Sequence, residues 1–215
     1  MHMDRSFFRQ LFNRPARPAE GLSAADSNVL EARANRGEAD AKFSLGLRCA
    51  TGCGAAPDYT EAARWYRKAA QSNHALAQFN LGIMYDLGQG MFPDKARSMS
   101  WLLKAACLGD PGGQHRVGLA CQRASQGASA DEAMEARIEA YKWLRLAAAQ
   151  GYQPSDPAWR RMTLDMTHAD VAEGNRRIAA FEATRPQIVP GAPANPDDVE
   201  QEETTAATAL ARALE

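Results

Sequence analysis

The stretch GIMYDLGQGMFPD, residues 82–94, places Gly88, Gln89 and Gly90 directly after an apolar run. A glycine-x-glycine turn has two physical readings. Its backbone N–H groups can cradle a phosphate at the start of a helix. It can also close a helix, because glycine enters the left-handed conformation without a steric penalty. The first reading leads to an enzyme and the second to a scaffold, so the surrounding sequence has to decide between them.

It decides by repeating the turn. Moved back 36 positions, Gly88-Gln89-Gly90 falls on Gly52-Cys53-Gly54, Pro93-Asp94 on Pro57-Asp58, and Leu81-Gly82 on Leu45-Gly46. The same offset carries Trp65 to Trp101 and Lys68-Ala69-Ala70 to Lys104-Ala105-Ala106. It then takes Gln78 to Gln114 and Leu81-Gly82 to Val117-Gly118. After that the register slips to 42: Trp101 maps to Trp143 and Ala105-Ala106 to Ala147-Ala148, with the extra residues inside RASQGASADEAMEA. A phosphate loop has no reason to recur at a fixed period among the same helical neighbours, whereas a turn in a stacked array must. The glycines therefore read as helix terminators.

Each unit is then a helix pair: residues 38–50 with 58–71, 74–87 with 94–108, and 111–123 with 130–150. The starts carry capping signals. Asp58 stands three before Glu61 and Ser129 three before Glu132, the spacing of a capping box, and Asp94 is the N-cap expected before the second helix of the middle unit. Residues 23–36 precede Gly37 as a second helix precedes each later unit, and are expected to cap the array. Thr167 with Asp170, followed by Val171, Asn175, Ile178 and Phe181, predicts one capping helix near the C-terminal end, in which Gly174 reads as a weak point.

Taken together, Ala77-Gln78, Leu81-Gly82, Tyr85, Gly88-x-Gly90, Asp94-x-Ala96, Trp101 and Lys104-Ala105-Ala106 resemble the Sel1-like repeat family, relatives of the tetratricopeptide repeats. Unit one departs at Cys49 in place of Tyr85. Unit three has Cys121 there and lacks the glycine turn, and Pro111, Gly112 and Gly113 weaken the start of its first helix. The resemblance covers residues 23–183 and implies an all-α solenoid of stacked antiparallel helix pairs, about three repeats with capping helices. The expected division is residues 1–22 as an N-terminal stub and linker and 23–183 as the solenoid. Within the solenoid the repeats fall at 37–72, 73–109 and 110–151 and a cap at 158–183. Residues 184–215 form a Pro-rich linker and acidic tail. One helix pair cannot bury its apolar face alone, so the pairs must share a continuous core. Gly46, Gly82, Gly118, Ala69, Ala105 and Ala147 are small enough for close helix approach, and Trp65, Trp101 and Trp143 fill the space between pairs.

The ends differ in character. Phe7, Phe8, Leu11 and Phe12 fall at helical spacing among Arg5, Arg9 and Arg14, until Pro15 and Pro18 end the pattern. Three readings stay open: a cap folded on the first helix, docking to a partner, or contact with an anionic membrane surface. Residues 187–215 carry six carboxylates against Arg212, a net charge of −5. The composition reads as a solvating tail, with TTAATALARALE as a segment able to order on binding.

The chain has 215 residues with a formal charge of −1, so no global field draws it to nucleic acid. No apolar run approaches the roughly 20 residues of a membrane span, and the start lacks a secretory h-region. A cytoplasmic location with free thiols is the expectation, membrane-surface association through the stub being the alternative. Cys49 and Cys121 replace an aromatic and read as core fillers. Cys53 sits in the exposed middle of a turn, Cys107 late in a second helix, and His74 and His168 at surface helix starts. No paired-cysteine zinc spacing, hydrolase elbow, metalloprotease or P-loop pattern occurs. No cofactor, metal or catalytic residue is therefore assigned, and hydrolase or metalloprotein function is the weakest alternative.

The family resemblance implies that first helices line a concave face. Carried over from the motif of unit two, that face holds Leu76, Phe79, Ile83 and Asp86. In unit one it holds Asp40, Phe43, Leu47 and Ala50, and in unit three Gly112, His115, Leu119 and Gln122. The implied function is a protein–protein interaction scaffold or adaptor, in signalling or complex assembly, taking a peptide or partner protein on this apolar stripe. The other reading of Phe43 and Phe79, packing against neighbouring helices, stays open at this point.

Overall fold

The computed structural model describes residues 24–52, 56–126 and 128–184. All regular structure among them is helical. α1 (Ala24–Asn35) precedes three antiparallel pairs: α2 (Ala39–Thr51) with α3 (Tyr59–Ala70), α4 (Ala75–Leu87) with α5 (Lys95–Cys107), and α6 (Pro111–Ala124) with α7 (Ala130–Ala149). α8 (Ser155–Thr163) and α9 (His168–Thr184) follow. Each helix packs on its sequence neighbour, except that α8 and α9 both lie against α7. The Phe7–Phe12 stub, Cys53 and the acidic tail lie outside the described residues.

Local chemistry sets the helix ends. Asp58, Asp94 and Asp110 each accept a hydrogen bond from the backbone N–H three residues on, at 2.9, 2.9 and 2.7 Å. These bonds satisfy donors the first turn cannot satisfy internally. Glu132 reaches back to the Ser129 N–H at 3.1 Å, and Thr167 and Asp170 exchange bonds at 2.9 and 3.2 Å. Gly88 ends α4 at φ 69° and Gly52 ends α2 at φ 75°, each donating its N–H to the carbonyl four back. The turns between units also repeat. Gly37, Asn73, Gly109 and Gly151 all have positive φ, spaced by 36, 36 and then 42 residues.

The core repeats in the same register. A Cβ on Gly46 would sit 2.6 Å from Tyr66, one on Gly82 2.8 Å from Leu102, and one on Gly118 2.7 Å from Leu144. The small residue of each first helix thus receives a large side chain of its paired helix. Gln78 donates to the Ala70 carbonyl at 3.1 Å and Gln114 to that of Ala106 at 3.3 Å, tying each first helix to the preceding second helix. Ala69, Ala105 and Ala147 are fully buried, Trp101 and Trp143 are buried and Trp65 is partly so.

Several glycines read as weak points are close contacts instead. A Cβ on Gly112 would lie 2.9 Å from the Phe79 ring, and one on Gly113 2.9 Å from the Ala106 backbone. They let the start of α6 press against α4 and α5, while Pro111 at N1 and Asp110 at the cap hold the helix. Gly174 is buried against Tyr141, which a Cβ would meet at 2.5 Å.

The C-terminal end has two helices where the sequence suggested one. α8 occupies the place of a fourth first helix, its Ser155 as buried as Ala77. The residues inserted in unit three extend α7 to 20 residues, and α9 lies across this extension. Arg177 of α9 pairs with Glu135 and Glu139 of α7 and with Glu173, and the Tyr141 hydroxyl donates to Asn175 at 3.0 Å.

Candidate functional site

The expected binding face runs along α2, α4 and α6. Phe43 of α2 reaches forward to stack on His74 at the start of α4, ring centroids 4.5 Å apart. One unit on, Phe79 of α4 lies against Gly112 at the start of α6. Each phenylalanine is therefore the joint between consecutive first helices. Phe43 is 8% exposed, Phe79 7% and Ile83 1%. These three were expected on the stripe, but they form its floor and offer almost no surface.

What remains at the surface is narrower. Leu47, Leu76 and Leu119 are partly buried, each packed at the edge of the core with one side uncovered. Asp40 is exposed, and the half-buried Asp86 is paired with Lys95. Gln122 is half-buried beside the end of α6. His115 is turned toward α8: its Nδ1 lies 2.8 Å from the Ser155 hydroxyl and its ring 5.2 Å from Tyr152. It docks α8 and does not stand as a free rim residue.

His74 is not an ordinary surface residue. Its Nδ1 accepts from the Ala77 N–H at 3.1 Å, so the ring proton sits on Nε2, facing the Asp40 carboxylate at 3.3 Å. Burial pushes its pKa below the ordinary imidazole value against the opposing pull of Asp40. His115 is lowered too, by burial first and then by Arg116. The sequence reading placed His74 at an ordinary surface helix start. The signal was its place 36 residues before Asp110, the cap of the next first helix.

The chemistry available is limited. His115 and Ser155 have the spacing of a base and a nucleophile, but Ser155 is fully buried. The Cys121 thiol is pushed up to about 11 by burial and by Glu139, which suppresses thiolate formation. Cys49 is half-buried and Cys107 exposed. Among the described residues no cluster of three or more His, Cys, Asp or Glu is placed to hold a metal. No helix among them is long and apolar enough to cross a membrane.

This geometry has relatives. The crystal structure of a Sel1 repeat protein from Oxalobacter formigenes is 33% identical, with a TM-score of 0.55, over 63% of this chain and 98% of that one. The crystal structure of c5321, a protective antigen present in uropathogenic Escherichia coli strains displaying an SLR fold, matches 83% of this chain. It does so at 20% identity with a TM-score of 0.61. The chain spans 37% of that longer protein, and the likeness there concerns the fold alone. A comparison with curated proteins finds no match. The Sel1 repeat itself is matched three times, at residues 39–74, 75–110 and 111–152, and so over more than half of the sequence. With its helix pairs, glycine-closed first helices and repeated core contacts, the chain belongs to the Sel1 repeat family.

Proposed function

We propose that this chain is a non-enzymatic adaptor that holds a peptide or partner protein along the faces of α2, α4 and α6. The observation that carries the reading is the row Leu47, Leu76 and Leu119, one partly covered leucine from each first helix, set above a rigid floor of Phe43, Phe79 and Ile83. Apolar side chains already half held by the core lose little rotamer freedom when a ligand covers them, which suits them as anchors. Asp40, Asp86 and Gln122 edge the row and favour a ligand with hydrogen-bond donors or cationic groups flanking its apolar positions. The role proposed for this binding is in signalling or in complex assembly.

The test is a comparison of partner capture by the wild-type chain, by Leu76→Glu/Leu119→Glu, and by Arg64→Glu on the opposite helix row. Helicity is matched beforehand by circular dichroism. The reading expects the double variant to lose a partner that the other two retain. Equal capture by all three removes the leucine row as the site.

A further inference from the structure

The large apolar side chains left in water are unevenly placed. Phe92 is 92% exposed, Leu164 82%, Val29 61%, Met134 40% and Leu87 39%. Leu87 is the last residue of α4 and Phe92 belongs to the turn between α4 and α5, Met134 to the start of α7, and Leu164 to the turn between α8 and α9. Antiparallel pairs bring every turn from a first to a second helix to one edge of the array, so these four lie on that edge, while Val29 sits midway along α1. The opposite edge, with turns at 71–74, 108–110 and 150–154, carries no exposed large apolar side chain among the described residues. Single exposed apolar residues are ordinary, but Leu87 and Phe92 stand together in one turn, and an exposed apolar pair of this kind suits a covering segment.

The edge is also acidic. Residues 86–97 balance Asp86 and Asp94 against Lys95 and Arg97, which pair with them, whereas residues 123–135 and 164–170 hold Asp131, Glu132, Glu135, Asp165 and Asp170 against Arg123, Glu135 being paired with Arg177. This charge repels an anionic lipid surface and attracts a basic, aromatic ligand. The chain contains such a segment. Residues 5–17 hold Arg5, Arg9, Arg14 and Arg17 with no carboxylate, and Phe7, Phe8, Leu11 and Phe12 among them. The segment enters the described fold at Ala24, the start of α1, which by its antiparallel packing on α2 lies at the same edge. Helices pack about 8–10 Å apart, so two layers from α1 to α5 span roughly 20 Å. The chain from Phe12 to Ala24 reaches up to ~40 Å when extended.

We propose that residues 5–17 dock on the turn edge of their own chain, Phe7, Phe8, Leu11 and Phe12 covering Leu87 and Phe92 while the arginines face the surplus carboxylates of the next turn, Asp131 and Glu132. The site lies at the helix ends, apart from the leucine row on the helix faces, so either reading can fail without the other.

Benzoylphenylalanine in place of Phe92 tests this in the full chain, since a side chain so exposed is replaced without disturbing the core. Purified protein at low micromolar concentration is irradiated, digested and mapped by mass spectrometry. The main product expected is an intramolecular cross-link to the peptide of residues 5–17. It should fall at least tenfold in a chain that also carries Phe7→Glu/Phe8→Glu/Phe12→Glu, at unchanged helicity. A cross-linked dimer, a chain recovered without cross-link, or a lipid adduct formed in its place with phosphatidylserine–phosphatidylcholine vesicles would each overturn the proposal.

Discussion

Gly90 and Gly37 both have a positive φ and differ in their surroundings, which makes them a controlled pair. Gly90 has φ 67°, and a Cβ there would lie 2.3 Å from the Tyr59 carbonyl oxygen and 2.6 Å from the Thr60 nitrogen. Gly37 has φ 98° and would meet nothing within 4 Å. Replacing either by alanine imposes the cost of a positive φ on an L-residue, about 1–2 kcal/mol. Gly90→Ala adds a clash with backbone that has no rotamer to yield, since the turn of unit two sits directly on the start of α3. Overpacking of this kind costs roughly 1–3 kcal/mol. The expected losses are about 1–2 kcal/mol for Gly37→Ala and about 2–5 kcal/mol for Gly90→Ala. At roughly 2–4 °C per kcal/mol for a domain of this size, Gly90→Ala should lower Tm by about 10 °C and Gly37→Ala by about half that or less. Thermal and urea unfolding followed at 222 nm measures both, with tryptophan fluorescence checking that the array melts as a unit. Equal losses for the two variants would refute the contact between the turn and the preceding pair, and with it the structural explanation of the Gly-x-Gly motif.

Three further outcomes follow from local geometry. Asp110 caps α6 from a buried position, so Asp110→Ala should cost about 2 kcal/mol and Asp94→Ala, with its half-exposed cap, about 1 kcal/mol, both read from urea midpoints. His74 and His115 both have folded pKa values below the ordinary 6.5, so the unfolded chain binds more protons as acid is added. Their contribution is whole above pH 6.5 and declines as pH falls below it; the urea midpoint should drop between pH 7.5 and 5.5, and His74→Asn should flatten the drop. Arg177→Ala removes the group bridging Glu135, Glu139 and Glu173. Amide exchange should then quicken in α9 while α2–α5 stay protected, whereas uniform quickening would show that the end helix supports the whole array.

The elements legible in the sequence were those fixed by short-range chemistry recurring at a constant period. The Asp58 and Asp94 caps, the left-handed Gly52 and Gly88, and the Gly46, Gly82 and Gly118 contacts all act within one unit. A single offset therefore exposes them together. α8 escaped because SDPAWRRMT is only nine residues long, has just Ala158, Trp159 and Met162 as apolar residues, and carries Pro157. It is held by tertiary contacts instead: Trp159 sets its ring edge toward Tyr141, with centroids 6.4 Å apart, and Arg145 lies over it at 4.4 Å. Gly112, Gly113 and Gly174 were misjudged for the same reason, since helix propensity describes an isolated helix and these three serve a close approach between helices.

The binding face shows where periodicity stops being informative. The spacing placed Phe43, Phe79 and Ile83 on the first-helix face, but a face in a stacked array is shared between the ligand side and the next unit. The longest apolar side chains reach furthest sideways, so Phe43 is taken by His74 and Phe79 by Gly112, and the leucines beside them stay partly open. His115 shows the same effect at the end of the array, where α8 stands in for a further repeat and claims its ring. In such a fold the most apolar positions of the stripe set the spacing between repeats, and recognition falls to their half-covered neighbours. Substitution of Phe79 would therefore loosen the stack before it altered a contact with any ligand, so Leu76 and Leu119 are the positions at which binding is separable from folding.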